Sequence, residues 1–257
     1  MKKHYLIGIL AFMGMTLSSC NFSFDFDFDS LGGETITGNG NVVTRNYDVT
    51  AFNEISTVLP ATVNFTVAET YSCSVRVDEN LFDYLEIKVK DGDLCLGRTK
   101  EHKNDNLRAT EFVIDITAPS MDEVSLAGSG DLNFNSPLNA SSLEVDLAGS
   151  GNINFNDETN VDHLELSVAG SGDIRIERGT IRKLEADIAG SGTIVSYADI
   201  QDLDADVAGS GDITAKVNSK LDYFVAGSGD IKYYGDAVTE GRIAGSGSVQ
   251  RIDPPTR

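Results

Sequence analysis

Seven acidic residues occupy one fixed place in a repeated pattern. Glu123, Glu144, Glu165, Glu185, Asp204, Asp222 and Glu240 each stand four positions before a copy of Ala-Gly-Ser-Gly. Carboxylates repeated once per structural unit could bind divalent cations, with calcium the candidate because it takes several oxygen ligands. They could equally bind a basic partner. At a strand separation of about 4.8 Å, neighbouring charges repel by about 0.9 kcal/mol even in water. No fold requires that repulsion at every unit. The plain alternative is a solvated face whose side chains splay and whose pKa values rise. The pattern is not the Gly-Gly-x-Gly-x-Asp nonapeptide of calcium β-rolls, because Asp follows Gly directly and occurs once per unit. The residue after each motif reads Asp131, Asn152, Asp173, Thr193, Asp212, Asp230 and Ser248. There neutral residues separate the acids, as Asx-type turn capping would require.

Other chemistry is sparse, and no catalytic residue is expected. His4 lies in an N-terminal apolar segment, His102 in a polar loop and His163 in a variable segment. None partners a Ser or Cys at a recognisable nucleophile spacing. The Gly-Ser-Gly copies are not phosphate cradles, since no Gly-Lys-Ser/Thr leads into a helix. A carbohydrate-active enzyme is the remote alternative, and it would need a clustered Arg/Lys/His/Asp groove that the chain lacks. Tyr197, Tyr223, Tyr233 and Tyr234 could stack on sugars, but packing between repeats suits them better.

Composition narrows the partners. The 257 residues carry 40 Asp+Glu against 20 Lys+Arg, a net charge of −20. That excess argues against nucleic acid, which demands a basic footprint. Hydrophobic residues at 40 % are too many for a disordered acidic tail.

The elements that must position the acids follow from the repeat. Ala-Gly-Ser-Gly begins at Ala127, Ala148, Ala169, Ala189, Ala208, Ala226 and Ala244, at intervals of 21, 21, 20, 19, 18 and 18 residues. Such a period means a solenoid, whose units bury their faces against their neighbours. An aliphatic residue precedes every copy (Leu126, Leu147, Val168, Ile188, Val207, Val225, Ile243). Another stands two residues after it (Leu132, Ile153, Ile174, Ile194, Ile213, Ile231, Val249). Upstream, runs such as Leu143-Glu144-Val145-Asp146-Leu147 alternate with period two and are β-rich, so they predict strands. Strand, glycine corner, strand and return make one coil of a parallel β-helix. The corner glycines are Gly128, Gly130, Gly149, Gly151, Gly170, Gly172, Gly190, Gly192, Gly209, Gly211, Gly227, Gly229, Gly245 and Gly247. Stacked coils approach closely there, and positive φ is expected. The shrinking interval predicts a taper toward the C-terminus. Three residues at about 3.3 Å each shorten the coil by about 10 Å.

Residues 34–122 read as β without the regular repeat. Asp91-Gly92 between Ile87–Lys90 and Asp93–Leu96 predicts a hairpin. This region is expected to be antiparallel-rich and to cap the first coil, giving one domain over 34–257 with the β-helix at 123–257. The far end has only Pro254-Pro255 to blunt it, which suggests a homo-oligomer.

Residues 1–19 read as a signal peptide: Lys2-Lys3, then the apolar run Tyr5–Leu17, then Leu17-Ser18-Ser19-Cys20. The small-small-Cys ending resembles a bacterial lipobox, which assigns Cys20 to lipid and the chain to a membrane. Residues 20–33 form an acidic, aromatic tether (Asn21-Phe22-Ser23-Phe24-Asp25-Phe26-Asp27-Phe28). It resembles the surface-export signals of Bacteroidota lipoproteins, so an outer-membrane lipoprotein at the cell surface is favoured over the periplasmic face. An oxidising compartment permits a Cys73–Cys95 bridge. Alternation, however, points Cys73 to the core with Val75 and Val77, and Cys95 to the opposite side from Leu94 and Leu96. The pairing stays open.

Together, Phe52-Asn53-Glu54-Ile55, Asp91-Gly92-Asp93-Leu94, the Gly-Ser-Gly-Asp-Ile corners and Gly245-Ser246-Gly247-Ser248-Val249 resemble the putative auto-transporter adhesin, head GIN domain family of bacterial lipoproteins, over about residues 41–252. That resemblance implies a right-handed parallel β-helix, a cell-envelope location and adhesion to an unknown protein or glycan without cofactor. A lipobox in place of an auto-transporter barrel means the route in the family's name does not apply here.

Overall fold

The structure, a computed structural model, describes Cys20 and residues 33–254. The signal segment and tether residues 21–32 lie outside the described residues.

The first half supplies β1 (Thr35–Thr37), β2 (Val42–Tyr47), β3 (Glu54–Thr57), β4 (Thr62–Val67), β5 (Ser72–Asp78), β6 (Leu85–Lys90), β7 (Asp93–Arg98), β8 (Asn106–Arg108) and β9 (Phe112–Ala118). The second supplies β10 (Glu123–Gly128), β11 (Asp131–Phe134), β12 (Leu138–Gly149), β13 (Asn152–Gly170), β14 (Asp173–Gly190), β15 (Thr193–Gly209), β16 (Asp212–Gly227), β17 (Asp230–Tyr234), β18 (Val238–Gly245) and β19 (Ser248–Arg251).

The repeat builds a parallel β-solenoid of about six turns. Identical motif positions stack in register: Leu126 on Leu147, Leu147 on Val168, Val168 on Ile188, Ile188 on Val207 and Val207 on Val225. Alternation puts these aliphatics inside, where each is at most 2 % exposed. β13 to β16 each wrap a whole coil and run 19, 18, 17 and 16 residues. The loss has a location. Pairing of β13 with β14 is offset by 21 residues at Phe155↔Ile176 but by 20 at Glu158↔Arg178, across a bulge on the return side. The next interface bulges between Ile176 and Thr180. Core volume follows: Phe65, Phe134, Phe155, Ile176, Ser196 and Ala215 form one inward column of falling size. The rings of Phe134 and Phe155 stack at 4.3 Å. At Ser196 the buried Oγ has no hydrogen-bond partner among the described residues.

The N-terminal half does more than cap. β3 continues the ladder of β10 in parallel, and β4 that of β11. β7 and β9 extend both by one more parallel strand. The antiparallel part is β6 on β7, through the Asp91-Gly92 hairpin, with β5 joining β9 and β2. The ladder therefore runs through residue 123 without a break.

Candidate functional site

The seven acidic positions form one column in the structure. Glu123 faces Glu144, then Glu165, Glu185, Asp204, Asp222 and Glu240 follow, each on the next strand. The ladder adds Glu54 beneath Glu123. Residues two apart on a strand share a face, so a second column lies beside the first: Ser125, Asp146, Ser167, Asp187, Asp206, Phe224 and Arg242. Sequence reasoning overlooked Asp146, Asp187 and Asp206. The signal was the Glu-Val-Asp, Glu-Ala-Asp and Asp-Ala-Asp spacing of Glu144–Asp146, Glu185–Asp187 and Asp204–Asp206.

Crowding sets the electrostatics of this double row. Burial first, then Glu144, Glu54, Asp146 and Asp93, push the Glu123 carboxyl up to about 7. Burial and the charges of Asp206, Glu165, Asp204 and Glu185 push Asp187 up to about 7. Asp146 and Asp206 rise to about 6, again mainly by burial. Glu165 and Asp204 move the same way. Cations already sit on part of the row: the Lys183 ammonium pairs with Glu185 and the Lys220 ammonium with Asp222. His163 Nε2 lies 3.7 Å from Glu185. His163, Glu165 and Glu185 bring ligand atoms within 4.8 Å of one another, enough to hold a metal. Two carboxylates and an imidazole, with Lys183 competing for one of them, are a poor set for calcium, which wants six or more oxygens.

The corner glycines do two separate jobs. The first glycine of each motif has positive φ, from 115° at Gly128 to 147° at Gly245. The second lacks it but sits where a β-carbon would strike the preceding coil: 2.3 Å from the Gly151 carbonyl oxygen at Gly172, for example. Those carbonyls are in use, since Asp173 N–H donates to Gly151 O at 3.2 Å and Thr193 N–H to Gly172 O at 3.3 Å. Gly179, outside the motif, has φ +135° and a would-be β-carbon 1.9 Å from Thr159 O. The column after the motif is bonded between coils, not within turns. Asn152 Nδ2 donates to Asp131 at 2.8 Å, and the backbone N–H groups of Asp230 and Ser248 donate to Asp212 and Asp230 at 2.8 and 2.9 Å. This corrects the turn-capping expectation: the carboxylates face the neighbouring coil's donors.

A shallow groove of about 520 Å³ runs along the return side, lined by Asn139, Ser141, Asn160, Asp162, Thr180 and Arg182. Its amides are engaged in stacking: Asn160 Nδ2 donates to Asn139 Oδ1 at 3.1 Å, and Thr180 N–H donates to Asn160 Oδ1 at 3.1 Å. The tyrosines pack. Tyr234 is buried, Tyr223 and Tyr233 lie against the core, and Arg175 covers the Tyr197 ring at 4.9 Å.

The cysteines depart from expectation. Cys20 bonds to Cys95, and Cys73 is free and buried, its thiol pushed up to about 12 by burial. Cys95 is fully buried where β7 meets β3, and Cys20 is buried beside it. The sulfur assigned to lipid is the one used in this bridge, so any one molecule carries the lipid or the bridge. There is no Cys73–Cys95 pair.

No helix among the described residues is long and apolar enough to cross a membrane. No functionally curated protein matches the chain. A crystal structure of a putative lipid binding protein from Parabacteroides distasonis ATCC 8503 is similar, with 30% identity and a TM-score of 0.73 over 86% of this chain and 100% of that one. A putative adhesin from Bacteroides fragilis NCTC 9343 matches at 26% identity and a TM-score of 0.77, over 84% and 100%. Another from Parabacteroides distasonis ATCC 8503 shares the fold at 24% identity and a TM-score of 0.73, over 85% and 100%. The family profile described as "Putative auto-transporter adhesin, head GIN domain" matches residues 51–237, and the chain belongs to that family.

Proposed function

We propose that this protein is a non-enzymatic, lipid-anchored outer-membrane adhesin that presents its acidic solenoid face to a basic partner at the cell surface. The double acidic row carries the reading. Its carboxylates stand in register on a stiff sheet, and two of them already hold lysine ammonium groups. A partner bearing evenly spaced lysines or arginines could replace those internal cations. Among the described residues no lysine pairs with Asp146, Asp187 or Asp206, and they would supply the unspent charge.

A lysine-rich peptide titrated against the protein tests this. Replacing Asp146, Asp187 and Asp206 together with Asn should weaken binding at least tenfold at low salt. Unchanged binding refutes the site. Calcium is the competing occupant, and calorimetric heat with a rise in melting temperature at millimolar calcium would favour it instead. Surface display predicts cleavage by protease added to intact cells, and protection until lysis would refute it. Lipid at Cys20 predicts a mass increase on the N-terminal peptide and a Cys95 thiol that labels in guanidinium without reduction. A Cys95 that labels only after reduction would refute the anchor. A second reading, a self-assembling envelope protein, draws support from the exposed last coil.

A further inference from the structure

The C-terminal end of the ladder is an open edge. β18 pairs with β16 from Lys220↔Val238 to Gly227↔Gly245, and no described strand lies on its other side. All eight of its residues are exposed. Ile243 ends the aliphatic column above Val207 and Val225, which are fully buried, yet Ile243 is 42% exposed and Val238 is 73% exposed. An unpaired apolar edge is a template for another strand. The described tail does not cover it: Ile252 N–H bonds to Tyr233 O, so that segment follows β17.

The edge also carries ordered charge. Glu240 ends the first acidic column, whereas Arg242 ends the second, where it is the sole base among seven residues. We propose that two copies of this chain join tail to tail through β18, antiparallel and centred on Gly241. Gly241 then faces the partner's Gly241, and Glu240 faces the partner's Arg242. The exchange occurs twice because the contact is two-fold symmetric. Thr239 and Ile243 are on the inward side with Gly241, since they continue Leu221, Tyr223 and Val225. In this register Ile243 meets the partner's Thr239, so inward faces inward and the two cores become continuous. A one-residue slip would flip every side chain to the wrong face. Such a contact closes on itself and stops at two copies.

Head-to-tail stacking has no matching acceptor. At the other end β6 lies antiparallel on β7 and carries Lys88 and Lys90, while β2 lies antiparallel on β5 and carries Arg45. Charged antiparallel edges of this kind discourage further pairing.

Sedimentation equilibrium of the full chain in a density-matched mild detergent tests the interface. A dimer is expected. Arg242→Glu should weaken it about tenfold, because two attractive pairs become two repulsive ones. Glu240→Arg should do the same, and the double variant E240R/R242E should restore the affinity of the parent. That restoration separates an interface from a folding defect, because two independent folding defects would add rather than cancel. A monomer at all concentrations, an open-ended series of oligomers, or a dimer indifferent to both reversals would overturn the proposal.

Discussion

Gly170→Ala probes the corner on which the solenoid depends. Gly170 has φ +124°, and a β-carbon there would lie 2.4 Å from the Gly149 carbonyl oxygen. The closest tolerable approach is about 3 Å, so the two coils would have to separate by about 0.6 Å or the corner would have to rotate. Either movement disturbs the bond that Ser171 N–H donates to that oxygen at 2.8 Å. Positive-φ strain of about 2 kcal/mol and about 1 kcal/mol for the weakened hydrogen bond sum to about 3 kcal/mol. For a domain of this size that lowers Tm by roughly 6–12 °C. Gly40→Ala is the control. Gly40 has φ +79° but nothing within 4 Å of the added carbon, so about 1 kcal/mol and roughly 2–4 °C are expected. Thermal melts of both variants by circular dichroism decide the matter. If G170A melts no lower than G40A, close stacking is not what the corner glycines serve.

Three further outcomes follow from the interior and the acidic face. The Glu123, Asp146, Asp187 and Asp206 carboxyls have folded pKa values of about 6–7, above their values in an unfolded chain. Their protonation therefore favours the fold: that stability is full below about pH 4 and is lost as pH rises through 6–7. Tm should fall between pH 4 and pH 8, and Asp187→Asn should raise Tm at pH 8, raise it less at pH 5 and leave it unchanged at pH 3. A flat profile in calorimetry would contradict the crowding argument. Cys73, fully enclosed and with its thiol at about 12, should resist maleimide in the native protein and react once guanidinium unfolds it. Ser196→Ala removes a buried hydroxyl that has no partner among the described residues and should stabilise by about 1 kcal/mol, read as a Tm rise of roughly 2–4 °C.

The fold was legible because its signals are local and repeated. Inward aliphatics alternating with outward acids specify strands, and the identical motif specifies their register. The taper was legible as an interval count, although only the folded chain shows that each lost residue leaves through a bulge on the return side. The N-terminal half resisted because β3 and β4 join the ladder without the glycine motif. Glu54 and Ile55 look ordinary until they stack beneath Glu123 and Val124. The second acidic column was missed because Ser125, Ser167 and Phe224 interrupt it in sequence, while Asp187 and Asp206 stand opposite each other on neighbouring strands. The Cys20–Cys95 pairing spans 75 residues, and no periodicity reports a contact between a leader's end and a hairpin strand.

The bulged return side gives the solenoid an editable margin. Coils lose residues there one at a time while the acidic columns opposite keep their alignment from Glu123 to Glu240. One flank therefore works as a fixed ruler and the other as slack. A lineage can lengthen, shorten or decorate the slack flank without moving a single carboxylate on the ruler. Conversely, duplicating one whole coil would extend the ruler by about 4.8 Å and add one graduation, leaving the spacing of those already present untouched.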